Sequence, residues 1–205
     1  MSNYLALATV TATFGGMIGE ALEQIAKPSG IPRVRFGPPL SDPQEVGCSI
    51  FLYRVSVNPF LRNDDVPTRS GDGTLTQQPR AVVDADYLLT FAGDETTLEP
   101  QRFLGAVVSA LHAQPVIARD LIKRTIAGRS DLTGSDLDQG DLVRVTPRTM
   151  DHQSMARLWS TFSQIPYKVS IVYTASPIVI EPGVPPQPIP PVTNIEAANI
   201  QVDHG

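Results

Sequence analysis

Ala81-Val82-Val83-Asp84-Ala85-Asp86-Tyr87-Leu88-Leu89-Thr90-Phe91 is the stretch whose reading decides the fold. Val83, Ala85, Tyr87, Leu89 and Phe91 fall on one side of a period-two repeat, and Asp84, Asp86, Leu88 and Thr90 on the other. That alternation belongs to a half-buried strand. Upstream, residues 46–57 repeat it: Phe51, Tyr53, Val55 and Val57 alternate with Leu52, Arg54 and Ser56. The two runs read as partner strands. Shorter β signals lie at 31–36 and 142–145. A last strand is predicted over 167–181, with Val169, Ile171 and Tyr173 in alternation.

Helical periodicity fills the rest. Leu5, Ala8, Ala12, Ile18, Leu22 and Ile25 recur at three- and four-residue steps, which predicts a first helix capped by Ser2 or Asn3 and stopped by Lys27-Pro28-Ser29-Gly30. Gly15, Gly16 and Gly19 weaken it, and small residues of this kind permit close backbone approach, to the chain's own sheet or to a neighbouring subunit. Thr96-Thr97-Leu98-Glu99 has the capping-box form, with Glu99 expected to reach back to the Thr96 amide. Leu104, Val107, Val108 and Leu111 give that helix its apolar face. Another helical stretch is predicted at 116–127. A further helix, capped by Thr149 or Asp151, turns Met155, Leu158, Trp159 and Phe162 inward. About three helices and four or five strands without regular β-α-β alternation predict an α+β fold, a mainly antiparallel sheet flanked by helices. Residues 1–181 read as that domain.

At 205 residues the chain has room for one compact unit plus an arm. Sixteen Lys and Arg against 21 Asp and Glu give a net charge of −5, which argues against a nucleic-acid binder. The single cysteine, Cys48, excludes an internal disulfide and a thiolate metal cluster, and its strand position suits a small buried hydrophobe. Residues 5–19 are uncharged but have no basic residue before them and are rich in Thr and Gly, so neither a signal peptide nor a membrane span is expected. A cytoplasmic origin is the default.

Catalytic parts are missing from the pattern. His112, His152 and His204 have no metal-ligand spacing, and no nucleophile elbow or phosphate loop is present. Asp131, Asp136, Asp138 and Asp141 lack the strict register of a calcium loop. Asp94, Glu95 and Glu99 offer carboxylates for acid–base work, yet capping and the helix dipole account for them equally. No metal, no cofactor and no enzymatic activity are expected.

Two segments fall outside the predicted core. Residues 58–80 link the paired strands, and a link of that length inside a compact domain usually serves function. Residues 182–205 begin with a proline-rich run that stays extended, as a spacer or as an arm laid on a neighbour.

Several stretches resemble a known family. Met1-Ser2-Asn3-Tyr4-Leu5-Ala6, then Phe51-Leu52-Tyr53-Arg54-Val55 with Asn58-Pro59 and Leu61-Arg62-Asn63, are similar to its opening half. Asp86-Tyr87-Leu88-Leu89-Thr90-Phe91 with Gly93-Asp94-Glu95 and Leu98-Glu99-Pro100-Gln101-Arg102 resembles its middle. Leu158-Trp159-Ser160, Phe162, Gln164-Ile165-Pro166-Tyr167 and Ser170 resemble its close. The family is the cap, or tail-terminator, protein of phage-tail-like contractile injection systems of the antifeeding-prophage and virulence-cassette kind. The resemblance implies a terminator-like fold and a homo-hexameric ring that closes the inner tube and contacts the last sheath layer. Assembly in the bacterial cytoplasm is expected, as part of a particle that is either released or membrane-attached, and the missing basic flank argues against direct membrane contact by this chain.

The extended segments suit such a role, because a ring that ends a polymer needs contacts to copies of itself and to the last layer. Asn58, Pro59, Arg62, Asn63, Asp64, Asp65 and Arg69 in the loop, and Pro185, Pro186 and Ile189 in the tail, are the candidate contact residues. Arg62 and Arg69 beside Asp64 and Asp65 are open to two readings, charge pairs between subunits or solvated loop charges. Asn58, Pro59 and Arg62 are open to a third, the ordering of the loop itself. An envelope adaptor and a small-molecule hydrolase are the alternatives.

Overall fold

A computed structural model describes residues 3–25, 32–39, 46–61, 80–137 and 142–181. The predicted partner strands form its centre. β2 (Gly47–Val57) pairs antiparallel with β3 (Ala81–Ala92), and β3 pairs antiparallel with β5 (Ser170–Ile180). The short strands take the edges: β1 (Arg33–Phe36) runs parallel to β2, and β4 (Arg144–Arg148) antiparallel to β5. The order β1-β2-β3-β5-β4 puts Asp86 on the central strand. The α+β expectation holds, with β1–β2 as the parallel pair.

Helices cover both faces. On one face lie α1 (Ala6–Glu23), α2 (Glu99–Ala113) and α3 (Arg119–Gly128). Phe14 and Ile18 of α1 pack with Val107 and Leu111 of α2 against Ile50, Tyr87, Leu89, Phe91 and Tyr173 of the sheet. The Tyr87 hydroxyl lies 2.8 Å from that of Thr11, and burial, only partly offset by this bond, pushes its phenol up to about 12. The other face carries α4 (His152–Ser160), which seats Trp159 and Phe162 on Leu88 and Val172. Both rings are core, as their spacing predicts, and Trp159 also donates from Nε1 to Ser170 Oγ at 3.3 Å.

Close approach explains one of the glycines. A Cβ on Gly15 would fall 2.5 Å from the Phe36 ring, so α1 meets the chain's own β1 there and not a neighbouring subunit. Gly47 opens β2 with φ +133°, and a Cβ would sit 2.0 Å from the Arg33 carbonyl oxygen. Only glycine lets β1 and β2 pair at that point.

Several predicted details change. Asn3 does not cap α1 with its side chain; it ties the entry down, accepting from Leu5 N and donating to Gly134 O. Glu99 reaches back to the Asp94 amide, not that of Thr96, because a 3₁₀ turn at Glu95–Thr97 intervenes and Asp94 itself caps it. The helix predicted from residue 116 begins at Arg119. Val116 and Ile117 are drawn into pairing with the start of β4, through an Ile117 N to Val143 O bond of 2.9 Å. Among the described residues four α-helices form in place of about three.

Candidate assembly interface

Asn58 is the predicted contact residue that the structure describes most fully, and the hydrogen bonds it makes there are internal. It is 6% exposed at the exit of β2. Its Nδ2 donates to Asp84 Oδ1 at 2.8 Å and to Ser176 Oγ at 3.2 Å, while its Oδ1 accepts from the amides of Phe60 and Leu61. Its own amide donates to Val82 O at 2.9 Å. Ser176 also donates to Asp84 Oδ1 at 2.6 Å. An amide side chain with both donors and both lone pairs in use is a structural clamp, here joining β2, β3 and β5. It aims the chain outward at Pro59 and at Phe60, whose ring is 89% exposed. Arg62, Asn63, Asp64, Asp65, Arg69, Pro185, Pro186 and Ile189 lie outside the described residues.

Next to this clamp, on the same sheet face, stands a second polar cluster that the candidate residues did not include. Asp86 is 1% exposed. Its Oδ2 accepts from Arg54 Nε and from Arg148 Nη1, both at 2.7 Å, and its Oδ1 from the Thr174 hydroxyl at 2.5 Å. Strands β2, β3, β5 and β4 each supply one member. Burial pushes the carboxyl pKa up, but the Thr174 and Arg54 hydrogen bonds and the two guanidinium charges outweigh it and hold it below its usual 3.8. A register shift at Leu52/Arg54 brings Arg54 opposite Asp86 in place of Tyr53. The sequence signal was present in the alternation itself: a strand face bearing Asp84 and Asp86 beside Leu88 needs cations across from it once buried.

The carboxylates near Asp94 resolve as capping. Asp94 accepts from Thr96 N and Oγ1, and Glu99 from Asp94 N, so both serve local turns. In the acidic loop Asp131 pairs with Arg129 at 2.8 Å, and Asp136 accepts from Asn3 N. Asp138 and Asp141 lie outside the described residues.

Sheet edges govern how extended segments can attach. The outer side of β4 is closed along its first half, where Val145 N donates to Pro115 O at 2.7 Å. Pro147 follows two residues on and has no N–H to offer on that side. The outer side of β1 presents the main chain of Val34 and Phe36, since Arg33 and Gly37 point their amides at β2. Both edges are short, a form that limits unplanned strand addition. No described helix is long and apolar enough to cross a membrane.

A mixed sheet under helices on both faces, bound by internal polar clamps and capped turns, defines an α+β domain. The chain belongs to the family described as the Pvc16 N-terminal domain, whose model matches residues 9–194. Among solved structures, it is similar to the PVC sheath/tube terminator of an extracellular contractile injection system in its extended state, with a TM-score of 0.60 and 19% identity, covering 96% of this chain. It is also similar to the tube-terminating cap of the anti-feeding prophage, with a TM-score of 0.55 and 18% identity over 89% of this chain. This chain spans 64% and 59% of those two chains. No curated protein matches it.

Proposed function

We propose that this protein is a non-enzymatic terminator: a ring, expected to be a hexamer, that closes the inner tube of a contractile injection particle and contacts the last sheath layer. The observation that carries this reading is the agreement of fold with a sheath/tube terminator over nearly the whole chain, together with the match of residues 9–194 to the Pvc16 N-terminal domain. A terminator needs a rigid body and attachment points at its margin. The two-faced sheet supplies the body. The Asn58 clamp supplies a fixed root for the 58–80 loop, where Arg62, Asn63, Asp64, Asp65 and Arg69 are the contact candidates. The 182–205 segment, with Pro185, Pro186 and Ile189, is the second candidate arm. Assembly takes place in the bacterial cytoplasm.

Deleting the chain should leave particles with open tubes of scattered length, and restoring it should return a single length. Native mass spectrometry of the purified chain, with electron microscopy of particle ends, reads the ring directly. Uniform, closed tubes in the deletion strain would refute the reading.

A further inference from the structure

Burying a carboxylate at the centre of a sheet is costly, and an apolar residue of similar size would often be more stable there. Asp86 occupies such a place on β3 and uses its oxygens to hold two arginines from strands that are not neighbours. Each guanidinium gives one nitrogen to Asp86. The others make no further hydrogen bond among the described residues, and the side chains remain 46% and 41% exposed. Arg144 projects from β4 on the same face as Arg148. Among the described residues, three arginines against Asp84 and Asp86 leave this half-face positive on a chain whose net charge is −5. A guanidinium fork fixed in place with free donors is suited to a partner's carboxylate.

The complementary surface lies elsewhere on the same molecule. The turn before α2 carries Asp94, Glu95 and Glu99, which pair with no cation among the described residues. Between them Leu98 is 57% exposed and holds φ +57°. This turn leads into α2, on the sheet face opposite to the arginines. Unlike patches on opposite layers are what a head-to-tail contact uses when a rotation closes it into a ring.

We infer that the Arg54–Arg148 pair, positioned by Asp86, receives the Glu95 turn of a second copy of this chain and so forms the contact between successive subunits. The inference rests on the ring reading above. In the full-length chain, Arg148→Glu and Glu95→Lys should each raise the apparent dissociation constant of the ring by about tenfold or more, and the double variant should restore it. The readouts are native mass spectrometry and the fraction of capped particle ends, with thermal melts to establish folding. Glu95 is exposed, and among the described residues its side chain hydrogen-bonds only to Gln101, so Glu95→Lys tests the contact even if Arg148→Glu fails to fold. Rings indifferent to Glu95→Lys, or a folded double variant without rescue, overturn the inference while leaving the terminator reading intact. A wild-type chain that never forms rings, alone or on particles, overturns both.

Discussion

Gly47 is the residue whose replacement has the clearest cost. With φ at +133° and the Arg33 carbonyl 2.0 Å from where a Cβ would lie, Gly47→Ala must push β1 off β2. The expected loss is about 2 kcal/mol or more in urea unfolding, whereas Gly105→Ala inside α2, where a Cβ meets nothing within 4 Å, should gain up to about 1 kcal/mol. Asp86 carries a pH dependence whose sign follows from its lowered pKa. The unfolded chain takes up the proton near 3.8, before the folded one does. The stabilisation is therefore fully present above that value and lost as pH falls through the lower folded one. Unfolding curves followed from neutral pH down through 3.8 and below should show a shallower acid-side slope for Asp86→Asn than for the wild type. Neither residue's role was fully legible beforehand. The alternation placed Asp86 on the right strand face, but its partners come from 32 and 62 residues away, a distance no local pattern reports.

Elements were more legible than their ends, because periodicity reports which face is buried while tertiary pairing decides where an element stops. The β2–β3 pair follows from the alternation, and only the shift at Leu52/Arg54 escaped it. The α2 entry shows the opposite case. Asp94 and Glu99 were both in view as cap residues, yet the intervening 3₁₀ turn changed which amide Glu99 satisfies. The inward face of α4 was readable from the spacing of Met155, Leu158, Trp159 and Phe162, and Asp151 does cap it, accepting from Ser154 N at 2.9 Å. The sequence did not report that, among the described residues, this is the one helix against its sheet face. That isolation has a consequence. Trp159 meets Phe162 edge-on at 5.5 Å and also packs against the tilted ring of Tyr167 at 5.0 Å, so Trp159→Ala removes the centre of the cluster. We expect a loss of about 3–5 kcal/mol in denaturant unfolding. Hydrogen exchange should rise first in α4 and later in α1, whose buried face packs with α2 and the other side of the sheet.

At the scale of the whole molecule, function was legible only through the resemblance, since an acidic α+β chain lacking catalytic spacing is compatible with many roles. The physical content of a terminator lies in separating the part that folds from the parts that attach. Here the separation is testable. Among the described residues the last strand ends at Ile180, which still pairs with Ala81, and the two hydrophobic clusters draw on residues no later than that strand. A chain ending after Glu181 should therefore melt within a few degrees of the full-length protein. If residues 182–205 act as an arm, the same truncation should sharply lower the fraction of particle ends carrying a ring, because main-chain contacts made by an extended segment are lost together. Calorimetry and electron microscopy on the same preparation separate the two effects. A large fall in melting temperature would make the segment part of the folded core. Full occupancy of the particle ends by the truncated chain would leave the 58–80 loop, rooted at Asn58, and the sheet faces themselves to hold the ring in place.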